Sequence, residues 1–134
     1  MAKKVLIFGT FDLLHEGHKF FLKEAEKYGK VTIMVAPGET VYKFKKRHPI
    51  YSQSQRIEAL RSLGYEALAE SPDPWQDVLK EKPDIIVLGY DQNWEEQVKR
   101  KAKSEKLKIK VVRINRAHLP HVHNTTAIRK KLRV

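Results

Sequence analysis

The sequence predicts an α/β fold built on a parallel sheet. Short apolar runs alternate along the chain with amphipathic stretches of helical period. Three of those runs, Val5–Phe8, Val31–Ala36 and Ile85–Leu88, are continuous and contain β-branched residues, as strands buried on both faces of a parallel sheet should be. The first two predicted helices that follow strands or loops stop at Gly29 and Gly64, the residue type that ends helices most readily.

Taken in order, Val5–Phe8 is the expected first strand and His18–Tyr28 the first helix. Val31–Ala36 is the second strand. Pro37–Ser52 shows no period and is expected to be irregular; it carries Lys43, Lys45, Lys46, Arg47 and His48. A basic loop of that length inside a compact domain points to function. Ser54–Leu63 is the next helix, with Ile57, Leu60 and Leu63 on its inner face. Tyr65–Glu70 is a shorter strand, and Pro74–Lys80 a short helix with Pro74 in its first turn. Ile85–Leu88 leads into a polar helix, Asn93–Lys106, whose inner stripe is Trp94, Val98 and Ala102. Ile109–Val112 is the last strand, and Thr125–Leu132 closes the chain as a helix. Right-handed crossovers then place the ligand beyond the carboxyl ends of the strands. Gly9–His18 and Gly89–Asn93 both emerge at that edge.

A chain of 134 residues suits one compact domain, 1–134, with a core that needs no staples. It has no cysteine, which excludes disulfides, zinc–thiolate sites and cysteine catalysis. No run approaches the roughly 18 to 20 apolar residues that span a bilayer, and the apolar start is too short for a signal sequence. The expectation is a soluble cytoplasmic protein with no membrane partner. The formal net charge of +11 implies anionic partners. Nucleic acid and a small polyanion such as a nucleoside triphosphate both satisfy it, as does a solvated lysine-rich surface.

The most informative run is Gly9-Thr10-Phe11-Asp12-Leu13-Leu14-His15-Glu16-Gly17-His18. A strand that ends in such a turn and feeds a helix N-terminus presents backbone N–H groups and the positive end of the dipole to phosphate. His15 and His18 are three residues apart and share a face of the first helical turn. Gly17 allows phosphate to approach where a Cβ would intrude. Asp12 has two readings of equal weight, a ligand for a divalent cation and a turn residue capping backbone N–H groups.

This run resembles the HxGH signature of the nucleotidyltransferase superfamily, in the GTFDxxHxGH form of its cytidylyltransferase-like branch. The resemblance extends from Val5 to Leu132 and implies a Rossmann-like three-layer sandwich on a five-stranded parallel sheet, and a homodimer. It implies transfer of a nucleoside monophosphate from a triphosphate to an acceptor phosphate, with release of pyrophosphate. The acceptor is already anionic near neutrality, because a phosphate's second pKa is about 6. Catalysis then rests on alignment and on neutralising charge at the attacked phosphate. His15 and His18 suit that role as N–H donors, Gly9, Thr10 and Phe11 line the turn, and a divalent cation accompanies the triphosphate. Magnesium is the first choice, with manganese and cobalt as alternatives.

Two further runs fit the same site. Lys82-Pro83-Asp84-Ile85-Ile86-Val87-Leu88-Gly89-Tyr90-Asp91-Gln92-Asn93-Trp94 resembles the corresponding segment of archaeal FAD synthases, placing Gly89, Tyr90 and Asp91 near the nucleotide. Asn93 alternatively caps the helix that follows. Asn124-Thr125-Thr126-Ala127-Ile128-Arg129 resembles the C-terminal STTxI(R/K) element, with Asn124 in place of the usual Ser. There Thr125 and Thr126 would donate to the triphosphate and Arg129 would fork onto it. The family often carries lysines in the loop after its second strand and an arginine in the helix that follows; Lys43, Lys46 and Arg56 are the candidates here without a unique alignment, Lys46 being assigned to catalysis and Arg56 to nucleotide binding, and a solvated basic loop is the alternative. His118, His121 and His123 fit no zinc spacing and are read as loop histidines near the phosphates. The leading expectation is AMP transfer from ATP to FMN. Cytidylyl transfer from CTP to glycerol 3-phosphate or a related phosphate is the alternative. A catalytically silent nucleic-acid-binding domain is the rival of another class, opposed by the intact histidines and threonines.

Overall fold

In the computed structural model, residues 2–89 and 92–114 are described, without the side chains of Phe44 and Lys45. Tyr90, Asp91, the histidines 118, 121 and 123, Asn124, Thr125, Thr126 and Arg129 lie outside the described residues, as does the expected closing helix.

The strands are β1 (Lys4–Gly9), β2 (Lys30–Val35), β3 (Glu66–Ala69), β4 (Ile85–Leu88) and β5 (Lys110–Arg113). The helices are α1 (Glu16–Glu26), α2 (Gly38–Lys45), α3 (Gln53–Ser62), α4 (Pro74–Glu81) and α5 (Glu95–Ser104). The five strands form one sheet in the order β3-β2-β1-β4-β5, and every pairing is parallel. The strand order reverses between β1 and β4, the place where an open α/β sheet leaves a crevice at its carboxyl edge.

The period of two along each strand sorts the core into two layers. Val5, Ile7, Val31, Ile33, Val35, Ile85 and Val87 point to one face and pack with Leu22 and Ala25 of α1 and Leu60 of α3. Leu6, Phe8, Met34, Ile86 and Leu88 point to the other and meet Val78 of α4 and Val98 of α5. Both faces of the central strands are therefore covered, which is why their sequences are apolar without alternation. The result is a three-layer α/β sandwich of Rossmann-like form.

Three expectations are corrected. The segment Pro37–Ser52 is not irregular throughout, because Gly38–Lys45 is α2. Among its described side chains Val41 is the buried apolar residue, and a helix of eight residues is too short to display a clear 3.6-residue pattern. It stops at Lys46, whose left-handed φ of 59° closes the last turn through an N–H bond to the Tyr42 carbonyl. In α3 the buried residues are Arg56 and Leu60, and Leu63 is exposed as the C-cap. A charged residue occupies the inner stripe, which apolar periodicity cannot reveal. Asn93 does not cap α5, which starts at Glu95 behind Trp94 without a side-chain cap. Glu95 and Glu96 supply favourable charge to that N-terminus instead.

Candidate active site

The β1–α1 turn sits beside the strand-order reversal. It bends sharply, with φ of 52° at Phe11 and 53° at Leu13, values that L-residues adopt only where the surroundings over-determine them. Gly9 is required for this turn, because a Cβ there would lie 2.5 Å from Cε2 of Phe11. Phe11 is buried, joining the α1-side core, and its ring lies 5.4 Å from that of His18. It supports the histidine from below.

His15 is the N-cap of α1. Its Nδ1 accepts from the N–H of Gly17 at 3.0 Å and of His18 at 3.4 Å. An accepting Nδ1 carries no proton, so the neutral ring holds its proton on Nε2 and is a donor there. His15 and His18 stack with centroids 3.8 Å apart and planes 22° from parallel. The expectation that the Gly17 and His18 N–H groups face phosphate is corrected, since His15 takes both. The ring does for these donors what Asp or Ser does at other helix starts.

Asp12 and Arg56 are each only 1% exposed. Asp12 Oδ2 accepts from the Ile50 N–H at 2.7 Å and Oδ1 from the Tyr51 N–H at 3.0 Å. From α3, Arg56 Nε donates to the Tyr51 carbonyl at 3.1 Å and Nη1 to the Thr10 carbonyl at 2.9 Å. Burial lowers the pKa of the guanidinium, and the Asp12 charge opposes that shift. Together the pair fastens the β1–α1 turn to the segment between α2 and α3. Of the two readings of Asp12, the capping one matches this geometry, in which each carboxylate oxygen accepts a backbone N–H. Among the described residues no group of three or more His, Cys, Asp or Glu could hold a metal ion. Arg56 is buried and braces the turn through its bonds to the Tyr51 and Thr10 carbonyls.

At the reversal, β1 and β4 pair through Val5–Ile85 and Leu6–Ile86. Farther along, the Gln92 amide spans the two strand ends. Its Nε2 donates to the Phe8 carbonyl and its Oε1 accepts from the Gly89 N–H, each at 2.8 Å. The Gly89 carbonyl accepts from Arg113 Nη1 at 2.9 Å, and Arg113 pairs with Glu95 at 3.8 Å. On the other flank, Gln53 Nε2 donates to the Val35 carbonyl at 2.8 Å, and the Ala36 N–H to the Gly9 carbonyl at 2.9 Å. Gln92, Arg113 and Gln53 were not anticipated; polar residues just past predicted strand ends were the available signal. The edge thus brings together Gly9, Thr10, Phe11, Asp12, His15, Gly17, His18, Arg56 and Gly89. Lys46 is exposed in the segment that Asp12 holds.

Glu70 continues β3 at the same edge and is buried. Burial first, then the nearby charge of Asp77, raises its pKa to about 7. Asp77 itself accepts from the Ser71 N–H and hydroxyl.

A Rossmann-like sandwich with a stacked histidine pair at a helix N-terminus defines the general class. The chain belongs to the cytidylyltransferase-like family, which matches it over residues 6–131. It is 40% identical over 129 residues to the FAD synthase of Korarchaeum cryptofilum, covering 87% of this chain and 84% of that one. It is 38% identical over 116 residues to the FAD synthase of Ferroglobus placidus, covering 84% and 76%. Among solved structures it resembles a lipopolysaccharide core biosynthesis protein from Thermoplasma volcanium, with a TM-score of 0.79 and 32% identity over 88% of this chain and 99% of that one. Among the described residues no helix is long and apolar enough to cross a membrane.

Proposed function

We propose that this protein is an FMN adenylyltransferase, transferring AMP from ATP to FMN to give FAD and pyrophosphate. The observation that carries the reading is the His15–His18 pair, fixed at the N-terminus of α1 beside the strand-order reversal, in a chain similar to FAD synthases. An FMN phosphate oxygen attacks the α-phosphorus of ATP. The new O–P bond forms as the bond to the β-phosphate oxygen breaks, and pyrophosphate leaves. No proton must be removed from a phosphate dianion, so no general base is needed.

His15 donates from Nε2 to an α-phosphate oxygen, and His18, held by Phe11 and His15, donates beside it. Such donors act on charge that grows in the transition state. The α1 N-terminus adds its dipole. Lys46 adds positive charge from the segment that Asp12 and Arg56 fasten to the turn. Gly89 borders the nucleotide, and Tyr90, Asp91, Asn124, Thr125, Thr126 and Arg129 complete the reading from the sequence. A divalent cation, magnesium in the first instance, accompanies the triphosphate; hard cations of this kind commonly bind phosphate oxygens and water. A homodimer in the cytoplasm completes the proposal.

The test is pyrophosphate release with products identified by mass, in a grid of ATP and CTP against FMN and glycerol 3-phosphate with magnesium. FAD in the ATP–FMN well is the expected outcome. A CDP-linked product would replace the reading with cytidylyl transfer on the same site. Silence throughout, with salt-dependent nucleic-acid binding, would replace it with a binding domain.

A further inference from the structure

Residues 37–52 form a compact excursion tied to the histidine turn. Gly38 lies against Pro49, with 3.7 Å between a Cβ placed on Gly38 and Cγ of Pro49. Tyr42 of α2 stacks on His48, with centroids 4.4 Å apart and planes 14° from parallel. The far end is held by the Ile50 and Tyr51 N–H bonds to Asp12. The excursion is therefore joined by hydrogen bonds to Asp12, in the turn that leads to His15 and His18.

Its surface is unusual for so polar a chain. Tyr42 is 49% exposed, Tyr51 45% and Ile50 38%, and His48 is exposed as well. Tyr42, Ile50 and Tyr51 are three of the six exposed large hydrophobic side chains among the described residues, gathered within ten positions. Apolar side chains gathered in one stretch, rather than scattered singly, mark an interaction surface. Lys43, Lys46 and Arg47 are interleaved with them. Flat aromatic surface beside cations suits a ligand with a planar ring and a phosphate.

Topology decides which substrate that is. The nucleotide belongs to the crevice between β1 and β4, where Gly89 and Gln92 lie. The 37–52 excursion leaves β2, on the opposite flank of β1. The histidine turn stands between the two. Trp94, an aromatic candidate on the nucleotide flank, packs edge-on against Phe8 at 5.7 Å in the core.

We infer that Tyr42, His48 and Tyr51 form the platform for the acceptor's ring, with Lys43 and Arg47 on the side of its phosphate. The inference rests on the adenylyltransferase reading for the identity of the acceptor, a phosphorylated isoalloxazine. Tyr42 is 49% exposed beside its ring contact with His48, so part of its aromatic surface is open to a planar ligand. Because Asp12 ties the platform to the turn, an acceptor seated there presents its phosphate to the site with little search.

The test is a fluorescence titration of FMN without ATP, followed by steady-state kinetics with FMN and ATP varied separately. Wild type, Tyr42→Ala, Tyr51→Ala, Tyr42→Phe and Tyr28→Ala are compared. Stacking on tyrosine quenches flavin emission. Quenching is expected in wild type, retained in Tyr42→Phe and Tyr28→Ala, and weakened roughly tenfold in affinity in the two other alanine variants, as loss of a base–aromatic stack commonly gives. The KM for FMN should rise by a similar factor while that for ATP holds. Equal quenching in all variants, no quenching in wild type, or a rise confined to the ATP KM would overturn the platform. Quenching that depends on Tyr42 and Tyr51, with no FAD formed by wild type, would uphold the platform and refute the adenylyltransferase reading alone. All five proteins should give the same circular dichroism, since every substituted side chain is exposed.

Discussion

Replacing Asp12 tests whether this carboxylate is a clamp. Asp12→Ala removes two charge-assisted bonds, to Ile50 and Tyr51, and leaves Arg56 buried without its counter-charge. Each such bond is worth about 1.5–3 kcal/mol, and the buried Arg56 loses the opposing charge that favours its charged form. These overlap and do not add, so the expected loss is about 3–5 kcal/mol, a large share of the 5–15 kcal/mol or so typical of a domain. Asp12→Asn keeps the shape and one acceptor and should lose about 2–3 kcal/mol. Urea unfolding without added metal is the assay, and the alanine variant's midpoint should fall by roughly 2 M. Arg56→Met should also destabilise, because it leaves the Tyr51 and Thr10 carbonyls without the donors that Arg56 supplies. If Asp12→Ala stays within about 1 kcal/mol of wild type, the clamp is not what holds the turn to residues 49–52. A metal ligand would behave differently: metal-free stability would hold or rise, and only the metal requirement would shift.

Two further outcomes are expected. His18→Ala should lower turnover by about two to three orders of magnitude with the fold intact, as loss of one transition-state donor does; a near-wild-type rate in a product-formation assay would remove His18 from the chemistry. Glu70 has a folded pKa of about 7, above its ordinary 4.5, so the folded state binds the proton more tightly. Its contribution is full below pH 4.5 and is lost as pH rises through 7, and Glu70→Gln should therefore match wild type in acid yet exceed it at pH 8 by up to about 3 kcal/mol. Urea midpoints across that range decide the point, and parallel pH profiles for the two proteins would contradict it.

Much of the architecture was legible because the strands are buried on both faces. Runs such as Val5–Phe8 and Ile85–Leu88 have no polar position to blur them, and Gly29 and Gly64 marked the stops. The short helix α2 was missed because eight residues are too few to make a clear period. Leu63 was placed inside because α3 puts Arg56 where an apolar residue was expected. At the site, His15, Gly17 and His18 could be read as a helix start, but not that His15 would cap its own helix. Imidazole is not a usual cap, and which nitrogen faces the backbone is set only by the folded turn. Asp12 left two readings open in sequence because its partners lie far along the chain, at Ile50, Tyr51 and Arg56. Gln92 was hidden for a similar reason: its bonds run to Phe8, 84 residues away.

The central claim is that His15 acts through Nε2 and does more than cap α1. His15→Asn separates the two roles, since asparagine is a good N-cap and lacks the donor at the Nε2 position. The measurement is the rate of FAD formation from ATP and FMN in this variant, with its urea midpoint taken alongside. The account predicts a midpoint near wild type and a rate lower by roughly two orders of magnitude. A rate that stays at the wild-type level with the cap preserved would make His15 a structural residue and contradict the mechanism.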